Sequence, residues 1–264
     1  MKDPLHPRLI FERKRKSGIT TKTETGEEAN VAEGKHPWPM YTLDARDYLD
    51  IFGVHFPTIA QLPDKLERAR LAGDRIVVLD LCGIARATSI GADHSIGLTL
   101  TDPGEHIPRH EDQTILVGDI FTAGAIEHII ETIKARGGKV HCIFFRPVGG
   151  LGGFGHHLRS HLRLYSVLQR LYPFLSEEGD TYVELMGFLG APVLEDALNA
   201  QANKTFCSTH HEVNAEGMEI FTTHIQKGPG APAALMTVDE LRNVPHVERK
   251  LLEAIDATDT LTLP

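Results

Sequence analysis

The stretch Arg75–Gly91, RIVVLDLCGIARATSIG, decides how this chain is read. Its apolar run, Ile76 to Leu81, has the composition of a strand buried on both faces, as strands of parallel sheets are. The run closes on an acid, Asp80, with Gly83 shortly after, and a parallel strand that ends this way delivers its chain to a pocket at its tip. The usual glycine fingerprint is broken, because Ile84 and Arg86 stand where small residues are expected.

Working outward, the same kind of strand recurs at Ser95–Asp102, Thr114–Ile120, Lys139–Phe145 and in TYVELMG from Thr181. Amphipathic helices are expected to alternate with these strands. In the clearest one Thr122 is the cap, Ile126, Ile129, Ile130 and Ile133 share a face, and Gly137 and Gly138 stop it. A second runs from about His156 to Leu171, after the loop RPVGGLGGFG. A helix opened by Pro192 precedes TFCSTHHEV and MEIFTTHI, which Asn214, Ala215, Glu216 and Gly217 join as a hairpin. The pattern predicts an α/β fold: a Rossmann-like, doubly wound sheet of five parallel strands plus a C-terminal antiparallel hairpin.

Four segments follow. Residues 1–40 read as a polar, partly basic extension without regular structure, 41–74 as cap helices, 75–228 as the sheet domain and 229–264 as a helical tail. With 41% hydrophobic and 24% charged residues the composition is that of a globular protein. No apolar run reaches the length of a membrane span, and no export signal is legible, so a cytoplasmic location and no membrane partner are expected. Three widely spaced cysteines suggest neither a disulfide framework nor a zinc knuckle. The net charge of -9 disfavours a broad nucleic-acid surface. One local exception is the arm Arg8–Lys16, whose five basic residues against Glu12 leave an anion or nucleic-acid contact open.

Ligands of such sheets sit beyond the carboxyl ends of the strands. The first tip offers Asp80, Leu81, Cys82 and Gly83; the second, Thr99 and Asp102; the third, Gly118, Asp119 and Ile120; the fourth, Arg146 and the loop Gly149–Gly155. Arg146 is placed to clamp an anionic group, and His156 and His157 are candidate bases beside the loop. His157 and His161 have the helical i, i+4 spacing of metal ligands, but HExxH is absent and further donors would have to come from Cys207, His210 or His211. No metal site is predicted. On a strand, His210 and His211 would point to opposite faces.

The order of elements resembles a class I S-adenosylmethionine-dependent methyltransferase over roughly residues 75–228. VVLDLCGIA is similar to that family's first motif, VGDI to its adenine-side acid motif, and LQRLYPFLSEEGDTYVEL to the helix, turn and fifth strand that follow. The hairpin is similar to the family's reversed seventh strand, inserted between the fifth and sixth. The resemblance implies S-adenosylmethionine as cofactor, held by Asp80, Leu81, Cys82, Gly83, Thr99, Asp102, Gly118, Asp119, Ile120 and Arg146. It implies methyl transfer to a small-molecule or carrier-borne acceptor, with Arg146, His156 and His157 in catalytic roles. The departures at Cys82, Ile84 and Arg86 keep a second reading open, a binding or regulatory module on the same fold.

Overall fold

The computed structural model describes residues 18–22, 28–32, 42–99, 102–104, 107–120, 122–146, 158–186, 198–199, 205–213 and 219–241. Near the N-terminus, β1 (Gly18–Lys22) and β2 (Glu28–Ala32) pair antiparallel. This ribbon lies where the sequence predicts no regular element, since β1, GITTK, is largely polar and the alternation of β2, EANVA, is too short and rests on alanines. The main sheet comprises β3 (Val77–Leu81), β4 (His94–Thr99), β5 (Gln113–Val117), β6 (Val140–Phe145), β7 (Leu175–Met186), β8 (Thr205–Val213) and β9 (Glu219–Lys227). Their spatial order is β5-β4-β3-β6-β7-β9-β8. Pairing is parallel from β5 to β7, and β9 runs antiparallel to both β7 and β8. The last strand thus enters reversed between the fifth and sixth of this sheet, the arrangement that the family resemblance implies.

Strands buried on both faces need cover on both. Val77, Leu79 and Leu81 join Ile96, Leu98, Ile143 and Phe145 on one face. There α3 (Ala123–Ala135) contributes Ile126, Ile129, Ile130 and Ile133, and α4 (Leu158–Leu171) contributes Leu164 and Leu168. Thr122 caps α3 by accepting from the Ala125 N–H. On the opposite face Val78, Cys142, Phe144 and Tyr182 meet Tyr48 and Phe52 of α1 (Arg46–Gly53) and Leu62 and Leu66 of α2 (Leu62–Leu71). The Lys65 ammonium donates to Asp180 at 2.7 Å and ties α2 to β7.

The regular alternation of strand and helix does not hold at the start of the sheet. Residues 82–93 join β3 to β4 with a single 3-10 turn, Thr88–Ile90, and none of the described residues between β4 and β5 is helical. The N-terminal helices α1 and α2 fill the face that crossover helices would have covered. Over β4 the cover is backbone: Gly83 bridges Leu98, the Gln113 side-chain amide donates to the Ile84 carbonyl at 2.6 Å, and the Ala87 N–H donates to Ser95 Oγ at 2.7 Å. A Cβ on Gly97 would lie 2.7 Å from the Gly83 carbonyl oxygen and 3.1 Å from Ile84 Cα. The strand therefore needs glycine at that point.

Two further boundaries moved. β7 begins at Leu175, so SEEGD is absorbed into a strand irregularity, with Leu175 opposite Val140 but Asp180 opposite Cys142. Of the helix expected from Pro192, only Leu198 and Asn199 are described; both are helical, and Leu198 is buried. In the C-terminal segment the short α5 (Val238–Leu241) is described, and the expected helix beyond it lies outside the described residues. Among the described residues no helix is long and apolar enough to cross a membrane. Because the clash at Gly97 is with backbone, Gly97→Ala should lower unfolding free energy by about 1–3 kcal/mol in urea denaturation.

Candidate functional site at the switch point

From β3 the chain steps to β4 on one side and later returns to β6 on the other, so the tips of β3 and β6 flank the topological switch point. Asp80 lies there, 2% exposed. Its carboxylate accepts from the Tyr48 hydroxyl at 2.9 Å and from the Ala85 N–H at 2.7 Å. A Cβ on Gly83 would come within 2.2 Å of that carboxylate, so Gly83 makes room for Asp80. Cys82 starts the turn at φ 64°, a left-handed conformation that costs a non-glycine residue roughly 1–2 kcal/mol. The glycine requirement of the motif survives here as geometry, although cysteine occupies the position.

Burial pushes the Asp80 carboxyl up to about 7, against the restraining Ala85 N–H, Tyr48 hydroxyl and Arg146 charge. Arg146, immediately after β6, is 4% exposed, and its Nε lies 3.3 Å from Oε1 of Glu184, which is 2% exposed. Arg146 Nη2 has no hydrogen-bond partner among the described residues. Tyr48 stacks on Phe144 at 4.5 Å between ring centroids, which fixes its hydroxyl over Asp80. Four elements, α1, β3, β6 and β7, thus deliver one buried polar cluster of Tyr48, Asp80, Arg146 and Glu184.

The other predicted residues are distributed unequally. Leu81 and Ile120 are core residues. Thr99 is 1% exposed and its hydroxyl donates to the Leu116 carbonyl. The Asp102 carboxylate is exposed, accepting from the Gly104 N–H at 2.9 Å and from Arg109 at 3.2 Å. Gly118 lets α3 approach, since a Cβ there would stand 3.1 Å from Ala125 Cβ. Asp119 is 2% exposed, and its carbonyl accepts from the backbone and hydroxyl of Thr122. Burial, then the charges of Asp80 and Asp119, push the Cys82 thiol up, so the tips of β3 and β5 form one electrostatic neighbourhood. His156, His157 and the loop Gly149–Gly155 lie outside the described residues.

Ile84 packs with Ile107 and Ile115 on the sheet face, and Arg86 turns away to Asp112, at 2.8 Å, before the start of β5. Arg86 therefore leaves the strand tips. A groove of about 630 Å³ opens elsewhere, between α2 and β7, β9 and β8, lined by Lys65, Asp180, Tyr182, His224 and Gln226. The switch point, where the buried Arg146 Nη2 lies without a hydrogen-bond partner among the described residues, is the better candidate site. Tyr48 and Glu184 were not singled out from the sequence. An acid inside the apolar alternation of TYVELM signals a buried partner for Glu184; nothing local marks Tyr48.

The strand order, with its reversed strand inserted between the fifth and sixth, defines the seven-stranded fold of the class I methyltransferases. No family profile and no curated relative matches the chain. Among solved structures it is similar to MycE, a methyltransferase from the mycinamycin biosynthetic pathway in complex with Mg and SAH, at 13% identity, 81% of this chain, 55% of that chain and a TM-score of 0.40. The chain thus spans about half the length of MycE. It is also similar to an rRNA methylase from Streptococcus thermophilus, at 10% identity, 63% of this chain, 97% of that chain and a TM-score of 0.37. A third likeness is a point mutant of the 16S rRNA (adenine(1408)-N(1))-methyltransferase from Catenulisporales acidiphilia, at 13% identity, 63% of this chain, 92% of that chain and a TM-score of 0.35.

Removing one partner of a buried ion pair strands the other, at a cost of about 3–5 kcal/mol, whereas replacing both by apolar groups costs far less. Arg146→Met should therefore lose about that much in urea denaturation, and Arg146→Met/Glu184→Leu should regain most of it. Asp80 has a separate signature. Between its unfolded value near 3.8 and its folded value of about 7, the native chain keeps a proton that the unfolded chain has lost. Its contribution to stability is present in acid and is lost as pH rises through about 7. The unfolding free energy of wild type relative to Asp80→Asn should fall by about 2 kcal/mol between pH 5 and 7, measured by urea titration of both proteins.

Proposed function

We propose that this chain binds S-adenosylmethionine at the β3–β6 switch point and transfers its methyl group to a small or carrier-borne acceptor. The observation that carries this reading is the buried Arg146 guanidinium, placed beside the crevice of a methyltransferase-type sheet with an unused donor at Nη2. When bound, the cofactor would supply an electrophilic methyl on a sulfonium, open to in-line attack by a positioned nucleophile with the neutral thioether as leaving group.

The chain's part is placement. Arg146 Nη2 would take a carboxylate, held in aim by Glu184 at Nε. The backbone of Leu81, Cys82 and Gly83 would form the floor, with Gly118 and Ile120 beside it. Asp119 would accept from the adenine amino group. Asp102, whose carboxylate is already at the surface, would exchange its Gly104 and Arg109 contacts for ribose hydroxyls, with Thr99 adjoining. His156 and His157 would accept the proton of a hydroxyl or amine acceptor.

One observation favours the second reading, a binding or regulatory module. Asp80 and the loop after β3 satisfy each other, so that carboxylate is committed to the fold. Calorimetric titration with S-adenosylhomocysteine should show one saturable site in wild type, weakened about tenfold or more in Asp119→Ala. A flat wild-type trace would remove the methyltransferase reading and leave the binding or regulatory module, and equal affinity in the two proteins would remove the assigned site.

A further inference from the structure

A second constellation lies at the far edge of the sheet. Residues two apart on a strand share a face, so His210 and Glu212 of β8 project together, on the side covered by α1 and α2. Opposite them, in the link that follows α1, is His55, whose side chain is 5% exposed. The His55 and His210 rings stack at 4.0 Å with an interplanar angle of 20°. His55 Nε2 lies 3.4 Å from Glu212 Oε2, and one donor atom from each of the three residues falls within 4.8 Å of the others.

The donor pool considered from the sequence divides differently in space. His211 stacks on Phe221 at 4.5 Å, and Cys207 packs against the core on the α3 and α4 side. Neither shares the face of His210. His55, far away in sequence and outside any spaced motif, completes the group instead.

We propose that His55, His210 and Glu212 bind a zinc-class divalent cation. Tetrahedral coordination at about 2.0–2.2 Å brings ligand atoms to roughly 3.3–3.5 Å from one another, so the three donors must draw in by up to about 1.5 Å, and the stacked His55 and His210 rings must splay for both in-plane lone pairs to meet one ion. Two imidazoles and one carboxylate suit zinc and its transition-metal neighbours, whereas magnesium and calcium prefer all-oxygen sets. Three protein ligands leave a fourth position for water or a ligand oxygen. The cation would join the link after α1 to the edge strand β8 and lock the cap onto the sheet. Across the sheet, His210 stands opposite Thr222, and Thr222 opposite Glu184. With strands about 4.8 Å apart, the site is about 10 Å from the Glu184 position, on the same face. It stands independently of methyl transfer.

The test uses the full chain stripped with a chelator, dialysed against zinc alone and analysed by elemental mass spectrometry. With 15 histidines and three cysteines in the chain, the informative quantity is the difference between proteins. Wild type should hold one zinc per chain more than His210→Ala at micromolar free zinc, and His55→Ala should match His210→Ala. Zinc should raise the thermal midpoint of wild type and leave that of His210→Ala unmoved, because a ligand that binds only the folded state stabilises it. His210 is exposed on an edge strand, so that variant keeps the fold, as circular dichroism would verify. Equal zinc content in wild type and His210→Ala, or an equal thermal shift, would overturn the proposal.

Discussion

The bond from the Ala85 N–H to the Asp80 carboxylate decides how the remainder of this fold is assembled. It bends the chain leaving β3 back onto the sheet, so that bare backbone, rather than a helix, covers the face of β4 turned away from α3. Contact that close is possible only because Gly97 has no side chain. The same carboxylate accepts the Tyr48 hydroxyl and so seats the cap helix α1. One acid thereby couples the first strand, its loop and the N-terminal cap. Helices that precede the sheet in sequence can then serve in place of missing crossover helices.

Electrostatics at the switch point follow from that packing. Two acids, Asp80 and Glu184, and one arginine are withdrawn from water beside the strand tips. A single guanidinium cannot fully compensate both carboxylates, and the outcome is divided. Glu184 has the direct contact with Arg146, while burial drives Asp80 toward its neutral form near pH 7. The remaining donor on Arg146 is what an incoming anionic group would find. On the proposed reading, a ligand here would fill an existing deficit instead of ordering mobile side chains, which would limit the entropy lost on binding.

The opposite edge presents a different economy of groups. An edge strand exposes unpaired backbone and is prone to pair with another chain. Here β8 carries His210 and Glu212 toward the cap, and His55 meets them. The polar residues that this edge turns toward the cap gather, with His55, three donors able to hold a metal in one place.

Alternating apolar runs, helix stripes and the closing hairpin were enough to define the class of fold, because periodic burial is written locally, whereas the place of the reversed strand within the sheet came only from the family resemblance. The tips holding Asp80, Asp119 and Arg146 were legible for the same reason, each being the end of a readable strand. What those residues touch was decided in three dimensions. That Asp80 would spend its carboxylate on Tyr48 and Ala85, that Glu184 would face Arg146, and that His55 would stack on His210 depend on contacts between segments distant in the chain. Local pattern records which face a residue takes; its partner is set only when separate elements pack and a buried charge or donor must find what lies opposite.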